Sequence, residues 1–370
     1  MAGRPLRVAF AHDWLVRYAG SERVLEQMVA TFPGSRVLTT IRKDSALPPP
    51  IRGSETSFLD RLPGSDDHHE WFLPLMPLAW RLRTEVDDVD AVVASSHACA
   101  NAVRVASHVP LISYCHTPMR YAWDFESEAE RFPAVVRSAA RRSMPLFRRW
   151  DRRTAARVTR FIANSRPVAG RIERFYGREA TVIHPPVRTA YFTPGDVRGD
   201  RFLYVGRLTG YKRPELVVEA FQDLPFELDV VGEGPLLRAL AATASANVRF
   251  HGSVDDDVLR RLYRQSAALV YPVDEDFGIA MAEAQSCGTP VIGLAAGGAL
   301  DIVEPDVTGW LVARQDVADV RAAVRRAADA SLPTEPIREH ALRFSETRFR
   351  REIRETVQEV VNDARRGTFD

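Results

Sequence analysis

Short apolar segments recur along the chain, separated by stretches in which apolar residues appear every three or four positions. In the first half, these segments are Leu6–Ala11, Ala91–Ala94, Leu111–Tyr114 and Arg160–Ala163. In the second half, they are Phe202–Gly206, Glu227–Val231, Ala268–Tyr271 and Pro290–Gly293. Such runs are typical of strands buried on both faces of a parallel sheet, and the periodic stretches are typical of its covering helices. The pattern predicts an α/β protein with two Rossmann-like, doubly wound parallel-sheet domains.

A segment without periodicity separates the two halves. Residues 184–187 read His-Pro-Pro-Val and residues 192–196 read Phe-Thr-Pro-Gly-Asp, and both are rich in residues that break helices and strands. We place the domain boundary there, which gives an N-terminal domain over residues 1–190 and a C-terminal domain over residues 191–344. A charged amphipathic helix over about 345–370 is expected to pack back on the N-terminal domain.

Composition narrows the class of protein. An apolar fraction of 45% and a charged fraction of 27% are typical of a soluble globular protein. The formal net charge of +1 argues against a nucleic-acid binder. The three cysteines, Cys99, Cys115 and Cys287, fit neither a disulfide framework nor zinc spacing, which indicates a reducing compartment. With no apolar run near the ~20 residues that span a bilayer and no signal-peptide core, we expect a cytoplasmic protein.

The richest group of candidate site residues follows the apolar segment that ends at Tyr271. A loop there carries Glu275, and a helix predicted to start at Gly278 or Ile279 carries Glu283. The first N–H groups of a helix are free and partly positive, which suits a phosphate or diphosphate. The two glutamates are spaced so that one can contact a sugar and the other a neighbouring pair of hydroxyls. The alternative is that Glu275 caps the helix and Glu283 is a solvated helical residue.

A basic loop, Gly-Arg-Leu-Thr-Gly-Tyr-Lys-Arg over residues 206–213, follows the first apolar segment of the second half. Pro214 then marks a helix start. The guanidinium of Arg207 is a planar fork and the ammonium of Lys212 is a compact charge, a pair suited to the two phosphates of a nucleoside diphosphate. The alternative is an ordinary basic turn after a strand.

Glycines and histidines follow other predicted strands. Gly232 and Gly234 stand where backbone can approach a base or ribose, and Gly20 stands where a side chain would obstruct a phosphate. His116 and His12 follow apolar strands of the N-terminal half, so each is expected at the ligand side of its sheet, in contact with a sugar. The alternatives are plain turn glycines and hydrogen-bonded structural histidines.

An arginine-rich stretch over residues 137–160 contains nine arginines and the single acid Asp151. Apolar residues are interleaved with them, namely Met144, Leu146, Phe147 and Trp150. A basic amphipathic helix of this kind favours contact with an anionic membrane, and the apolar run over residues 71–80 is expected either to add to such a surface or to belong to the core. The alternative is a solvated helix that packs on its own domain.

Taken in order, these motifs resemble the family 4 glycosyltransferases, which have the GT-B fold. The matching parts are the loop with Gly20, the histidine His116, the Gly206-Arg207-Leu208…Lys212 loop, the Gly232-Glu233-Gly234-Pro235 turn and the Glu275-x7-Glu283 block. They cover nearly the whole chain in the expected order. The resemblance implies two Rossmann-like domains facing a cleft, and a retaining transfer of a sugar from a nucleotide-sugar co-substrate without any other cofactor.

The same resemblance implies a role for each residue. Arg207 and Lys212 bind the donor diphosphate and stabilise the leaving group, and Glu283 holds the ribose hydroxyls. The transferred sugar and phosphate are contacted by Glu275, by His116 and by the backbone of Phe277, Gly278 and Ile279, and Gly20 lets the N-terminal loop reach the phosphate.

Many sugar transferases hold a metal with Asp-x-Asp, but residues 88–90 precede a strand and residues 274–276 belong to the helix-entry loop. We therefore expect a site without metal.

The sequence resembles GDP-mannose-dependent mannosyltransferases of bacterial polysaccharide assembly in three segments, namely residues 12–15, 20–23 and 114–124. This implies an α-mannoside product and a glycan or polyprenyl-diphosphate-linked glycan as acceptor, with the arginine-rich stretch on the inner face of the cell membrane. Two departures are Ala19-Gly20 in place of a paired glycine, which alters the phosphate loop, and Arg188 in place of an acid after residues 184–187.

Other functions remain open on the sequence. A UDP-sugar-dependent transferase and a nucleotide-sugar 2-epimerase share the expected fold, and the 2-epimerase would convert a donor without any acceptor. A non-catalytic sugar-nucleotide-binding protein would bind a donor without turnover. No Gly-x-Gly-x-x-Gly follows the first strand, which argues against an NAD-dependent dehydrogenase.

Overall fold

The computed structural model describes residues 4–124, 134–196 and 198–367. The chain forms two compact units: the first combines Met1–Pro186 with Phe349–Asp370, and the second is Val187–Arg348. The second unit thus begins a few residues before the boundary expected after residue 190. The C-terminal helix contributes its residues from Phe349 onward to the first unit.

Each unit contains one six-stranded sheet in which all neighbouring strands are parallel. The first has the order β2-β1-β3-β4-β5-β6, from β1 (Val8–His12), β2 (Arg36–Thr39), β3 (Ala91–Ser96), β4 (Leu111–Cys115), β5 (Arg160–Ala163) and β6 (Ala180–Val182). The second has the order β12-β11-β10-β7-β8-β9, from β7 (Arg201–Val205), β8 (Leu228–Val231), β9 (Val248–Gly252), β10 (Ser266–Tyr271), β11 (Val291–Leu294) and β12 (Gly309–Val312). The prediction of two doubly wound parallel sheets is confirmed.

Helices connect the strands. Those of the first half are α1 (Gly20–Thr31), α2 (Met76–Arg81), α3 (Arg120–Trp123), α4 (Ala134–Ala155) and α5 (Arg166–Tyr176). The others are α6 (Pro214–Phe221), α7 (Leu237–Thr243), α8 (Asp256–Arg264), α9 (Ile279–Ser286), α10 (Ala299–Ile302), α11 (Val317–Asp329), α12 (Thr334–Leu342) and α13 (Glu346–Arg366). Short 3-10 segments are Asp44–Ala46, Pro49–Ile51, Phe58–Arg61, His69–Leu75, Ala100–Ala102 and Gly210–Lys212.

The strand period of two explains why the first sheet is apolar on both faces. Val8 and Phe10 of β1 belong to one buried cluster, and Ala9 and Ala11 belong to another on the opposite face. Helix α13 covers the first of these faces with residues spaced three or four apart, namely Phe349, Ile353, Val357, Val360 and Val361. A sheet covered in this way leaves polar side chains room mainly where its strands end.

The apolar pattern did not predict β2, β6, β9 and β12, which are the four edge strands of the two sheets. An edge strand has a neighbour on one side only, so it need not be an apolar run. Strand β6 is partly exposed throughout, and β9 carries Arg249 and His251. Strands β2 and β12 are four residues long and mostly buried, like the predicted strands β5, β8 and β11, so neither length nor exposure explains why they were not predicted. The unpredicted strands therefore lie at the edges of the sheets and do not carry the predicted site residues.

Helix α4 carries the arginine-rich stretch, and its side chains are described from residue 141 onward. Phe147 and Trp150 pack against the core of their own unit, as the alternative interpretation expected. The carboxylate of Asp151 is buried and accepts hydrogen bonds from Trp123 Nε1 at 2.7 Å and Tyr176 OH at 2.8 Å. Burial raises the pKa of Asp151 to about 6. Within the described ranges, no helix has the length and apolar character needed to cross a bilayer.

Candidate functional site

The second sheet reverses its strand order between β7 and β10, since β8 and β9 lie on one side of this pair and β11 and β12 on the other. Ligands of doubly wound sheets bind outside the carboxyl ends of the strands at such a switch point. The loop over residues 206–213 follows β7, and the loop over residues 272–278 follows β10. Both predicted donor loops therefore start at the place where this fold binds ligands.

Lys212, Tyr271 and Glu275 form a compact polar group at this switch point. The Lys212 ammonium donates to the Tyr271 hydroxyl at 3.0 Å and forms an ion pair with Glu275 Oε1. The Tyr271 hydroxyl donates to the same carboxylate oxygen at 3.2 Å. Burial raises the pKa of Tyr271, so this hydroxyl stays protonated and keeps its role as a donor. The structure thus joins Lys212 and Glu275, and it adds Tyr271, which the sequence indicated only as a strand end.

The backbone beneath Lys212 is also fixed. The Tyr204 hydroxyl of β7 donates to the Lys212 carbonyl at 3.0 Å. Arg207 lies two residues after β7, is exposed, and makes no side-chain hydrogen bond or ion pair with any residue that the structure describes. Of the two cations predicted to bind the diphosphate, Lys212 is therefore held in place and Arg207 presents its guanidinium to solvent.

Helix α9 starts at Ile279, as predicted, and its N-cap is Gly278 with φ +92°. Glu275 does not cap this helix, so that alternative is wrong. The loop before the helix packs tightly on the turn after β11, where the Gly298 N–H donates to the Glu275 carbonyl at 2.7 Å. A Cβ on Gly298 would lie 2.1 Å from the Phe277 carbonyl oxygen. Glycine is therefore required there for the loop to reach its position.

Glu283 lies one turn into α9 and is only 5% exposed. The Tyr263 hydroxyl donates to Glu283 Oε2 at 3.2 Å. The alternative of a solvated helical residue is therefore wrong. Tyr263 is fully buried, and the pattern of the sequence gave no sign of this contact, because it depends on how α8 packs against α9.

Gly232 and Gly234 have a structural reason to be glycine. Gly232 has φ +136°, and a Cβ on it would lie 1.9 Å from the Gly206 carbonyl oxygen. A Cβ on Gly234 would lie 2.3 Å from the Leu208 carbonyl oxygen. The two glycines bring the loop after β8 against the loop after β7. They thereby support the segment that carries Arg207.

The first sheet reverses its strand order between β1 and β3. His12 ends β1, and its Nδ1 lies 3.0 Å from Ser95 Oγ on β3. The same oxygen lies 2.8 Å from Nε2 of His116, which directly follows β4. Burial, followed by the charges of His97 and His12, holds the pKa of His116 well below its usual range. His116 is therefore a neutral ring one strand away from the switch point between β1 and β3, and Ser95 connects it with His12.

Gly20 is the first residue of α1, directly after the N-cap Ala19. The backbone N–H of Ala19 donates to Glu22 Oε2 at 2.9 Å. The first unit thus contains Gly20 and His116, and the second contains all the other predicted site residues. In the described part of the chain, no group of three or more His, Cys, Asp and Glu side chains is placed to hold a metal ion.

Asp13 is a buried carboxylate whose contacts sequence reasoning did not foresee. It follows β1 and is fully buried. It accepts four backbone N–H groups of the loop after β3, from His97 at 2.6 Å, Ala98 at 3.0 Å, Cys99 at 2.5 Å and Ala100 at 2.6 Å. This carboxylate therefore holds together the two loops that flank the switch point.

Two family models match the chain, one in each unit. Residues 20–191 match Glycosyltransferase Family 4, and residues 196–346 match Glycosyl transferases group 1. The two parallel-sheet units have the GT-B fold, and both matched family models are models of glycosyltransferases. Each match covers less than half of the chain, so the first unit is similar to family 4 glycosyltransferases and the second to group 1 glycosyl transferases.

Similar proteins include two curated relatives. The D-inositol 3-phosphate glycosyltransferase of Geodermatophilus obscurus is 34% identical over 230 residues, which cover 53% of this chain and 51% of that protein. The protein of the same name from Acidothermus cellulolyticus is 32% identical over 226 residues, which cover 51% of this chain and 50% of that protein. The chain spans about half the length of the curated relatives it matches.

Solved structures resemble nearly the whole chain. Anabaena Alr3699/HepE, in complex with UDP and glucose, has a TM-score of 0.69 at 17% identity, covering 95% of this chain and 99% of that chain. Sucrose-phosphate synthase from Thermosynechococcus elongatus has a TM-score of 0.70 at 19% identity, covering 96% and 99%. At these identities the likeness shows the GT-B fold and nothing finer.

Proposed function

We propose that this chain is a retaining, metal-independent glycosyltransferase that moves a hexose from a nucleotide sugar to a hydroxyl of a glycan acceptor. The observation that carries the proposal is the group of Lys212, Tyr271 and Glu275 at the switch point, with the exposed Arg207 on the same loop. In the resting site, one carboxylate holds the lysine. A diphosphate carries more negative charge than a carboxylate, so a bound donor competes with Glu275 for this cation.

The two cations act where charge grows during the reaction. As the bond between the anomeric carbon and the phosphate oxygen breaks, negative charge accumulates on the leaving diphosphate, and Lys212 and Arg207 stabilise it more than they stabilise the bound substrate. The acceptor oxygen attacks the same face of the sugar, and a donor phosphate oxygen takes its proton. Configuration is thereby retained without a protein base. Glu283, oriented by Tyr263, holds the ribose, and His116 contacts the sugar.

The donor that we propose is GDP-mannose, because residues 12–15, 20–23 and 114–124 resemble mannosyltransferases that use it. A UDP-sugar is the second candidate. It is favoured by the Anabaena protein, which is described in complex with UDP-glucose. Both donors present the same diphosphate to Arg207 and Lys212, so the choice between them lies in the base and the sugar.

Thermal unfolding with a panel of nucleotides tests the donor. GDP and GDP-mannose at a hundred times their Kd are expected to raise the Tm by about 5 °C or more, equally with and without EDTA. UDP, UDP-glucose and UDP-N-acetylglucosamine serve as the comparison. A selective response to the uridine nucleotides would replace the proposed donor but keep the reaction. Loss of the shift in EDTA would contradict the metal-independent site, and no response to any nucleotide would contradict the transferase.

We also propose that the first unit docks on an anionic membrane, which would suit a lipid-linked acceptor. Helix α4 presents one exposed face in which Arg142, Leu146, Arg149 and Arg153 are spaced four, three and four apart. Leu146 is 71% exposed. Each arginine near an anionic surface contributes about 1 kcal/mol, and the exposed leucine can enter the interface.

A second exposed stripe lies in the segment before and within α2, with the same spacing. Its members are Trp71, Leu75, Leu78 and Leu82, of which Trp71 is 77% exposed. Met76 and Trp80 of the same run are buried, so the core interpretation of residues 71–80 holds for these two residues. The surface interpretation stays a prediction for the exposed ones. A groove of about 510 Å³, lined by Leu78, Arg81 and Trp150 among others, connects the stripe with α4. The groove reaches the stripe at Leu78 and helix α4 at Trp150 and Thr154.

Co-sedimentation with vesicles tests this docking. The protein is expected to bind vesicles that contain anionic phosphatidylglycerol and to leave pure phosphatidylcholine vesicles in solution. The variant R142E/R149E/R153E is expected to bind the anionic vesicles about 100-fold less tightly. The control R238E/R249E/R325E changes net charge equally on exposed arginines of the second unit. Equal losses in both variants would show a mere net-charge effect and contradict a docking face on α4.

A further inference from the structure

A chain of polar side chains runs from His116 to the segment before α1. Nε2 of His116 lies 2.8 Å from Ser95 Oγ, which lies 3.0 Å from Nδ1 of His12. Nε2 of His12 lies 3.5 Å from Glu22 Oε1, a charge contact without hydrogen-bond geometry, and Glu22 Oε2 accepts the backbone N–H of Ala19 at 2.9 Å. Because His12, Ser95 and Glu22 are buried, water does not compete for these contacts.

The carboxylate at the end of the chain sets the direction of its hydrogen bonds. Burial acts to raise the pKa of Glu22, but His12 and then His97 outweigh it, and the pKa lies below its ordinary value. An ionised carboxylate attracts an N–H and repels a nitrogen lone pair, so the ring nitrogen that faces it at 3.5 Å, Nε2 of His12, carries a proton. In a neutral imidazole Nδ1 is then an acceptor, and Ser95 donates to it. The Ser95 oxygen is left to accept from Nε2–H of His116.

We propose that Glu22, His12 and Ser95 are positioning residues that hold His116 in the tautomer with its proton on Nε2. Its Nδ1 then remains an acceptor that a sugar hydroxyl can use. The main chain of His116 is held separately, since its N–H donates to the Ser96 carbonyl at 2.9 Å and its carbonyl accepts from Asn164 Nδ2 at 2.8 Å. The chain of side chains therefore acts on the ring of His116 and not on its backbone.

The same carboxylate connects His116 with the loop that contains Gly20. Glu22 binds the N–H of Ala19, which immediately precedes Gly20. A change in this loop when a donor phosphate arrives would therefore reach the ring of His116 through three side chains. The tautomer is a property of the free protein, whereas its effect on turnover rests on the proposed function.

Nitrogen-15 NMR of labelled histidines at pH 7.5, without ligand, tests the tautomer. The His116 signals, assigned by their loss in His116→Gln, are expected to show a neutral ring with its proton on Nε2. In Ser95→Ala the donor on His116 loses its partner, so the two nitrogen shifts are expected to move toward each other. Ser113→Ala is the matched control: it is a buried serine on β4 whose Oγ has no hydrogen-bond partner in the described structure. It is expected to leave the His116 signals unchanged.

Glu22→Gln gives the sharpest test, because it is expected to reverse the direction of the hydrogen bonds between His12, Ser95 and His116. The amide oxygen stays at the position that accepts the Ala19 N–H, so the NH₂ group faces His12 Nε2. His12 then carries its proton on Nδ1 and donates to Ser95, and Ser95 donates to His116 Nε2. The His116 proton is expected to move to Nδ1. A wild-type His116 that is charged or already protonated on Nδ1, or an unchanged tautomer in folded Glu22→Gln, would overturn the proposal.

Kinetics then separate the proposal from the function beneath it. Ser95→Ala is expected to lower kcat about ten-fold, as the loss of an orienting partner does elsewhere, with a smaller change in the donor KM. Ser113→Ala is expected to keep both values. If the His116 tautomers are as expected but the wild type turns over no donor, the proposed function is contradicted and the positioning role of Glu22, His12 and Ser95 is supported. If turnover is normal but His116 does not have the expected tautomer, only the proposed positioning role of Glu22, His12 and Ser95 is contradicted.

Discussion

Replacing Lys212 with alanine is expected to lower turnover by 10²–10³-fold while the second unit stays folded. Removal of one group that stabilises a developing oxyanion in a comparable site costs ~3 kcal/mol. The Lys212 side chain is only 14% exposed and contacts both Tyr271 and Glu275, so its ammonium is positioned before any donor arrives. Steady-state rates with the donor that the thermal panel selects give the loss, and circular dichroism checks the fold.

The chain supplies its own control, because Lys43 is its only other lysine. Lys43 lies on the first unit and pairs with Asp66 and Asp67 on the surface. Lys43→Ala is expected to keep full turnover. A Lys212→Ala enzyme with near-normal turnover would contradict the assignment of the donor site.

Replacing Asp13 with alanine is expected to destabilise the first unit by about 3–5 kcal/mol, the usual effect of breaking a buried charged network. The variant leaves four backbone N–H groups of residues 97–100 without their acceptor. Asp13→Asn keeps one acceptor oxygen but brings an NH₂ group among these donors, so it is expected to lie between the alanine variant and the wild type. Urea unfolding measures both free energies.

Asp88→Ala is the control for this measurement. Its carboxylate is exposed and pairs with Arg36 on the surface of the same unit, so the expected change is below about 1 kcal/mol. Equal stabilities of Asp13→Ala and Asp88→Ala would contradict the view that Asp13 holds the loop after β3. Faster hydrogen exchange at residues 97–100 in Asp13→Asn is expected to locate the loss.

The interior of the fold follows from the sequence because its strands are buried on both faces. Strands β1, β3, β10 and β11 therefore appear as apolar runs with bounds close to the observed ones. The edge strands β6 and β9 do not appear in this way, since they are partly exposed and burial does not dictate an apolar run at every position. Strand β9, with Arg249 and His251, is stabilised as a strand by pairing with β8, and a single sequence contains no record of that pairing.

The residues of the candidate site could be predicted where a charged side chain lies in the loop that follows a strand. Arg207, Lys212 and Glu275 could be chosen because each follows a strand of the second unit. The tyrosines that contact Lys212, Glu275 and Glu283 could not be chosen. In the sequence, Tyr271 is an ordinary residue of an apolar run and Tyr263 an ordinary helix residue, and only the packing of the unit aligns their hydroxyls. The same holds for Ser95, which meets His12 only through the register of β1 and β3. Sequence reasoning thus found the charges and missed the hydroxyls that orient them.

The path of the chain has a consequence for engineering. The second unit is one uninterrupted segment, Val187–Arg348, whereas the first is assembled from residues on either side of it. A chimera that exchanges the proposed donor half for that of another protein therefore needs two splice points, one after Pro186 and one before Phe349. A single crossover would separate α13 from the face of β1 that it covers and expose Phe349, Ile353 and Val357. Hybrid enzymes built on this scaffold should be designed as cassette insertions, not as end-to-end fusions.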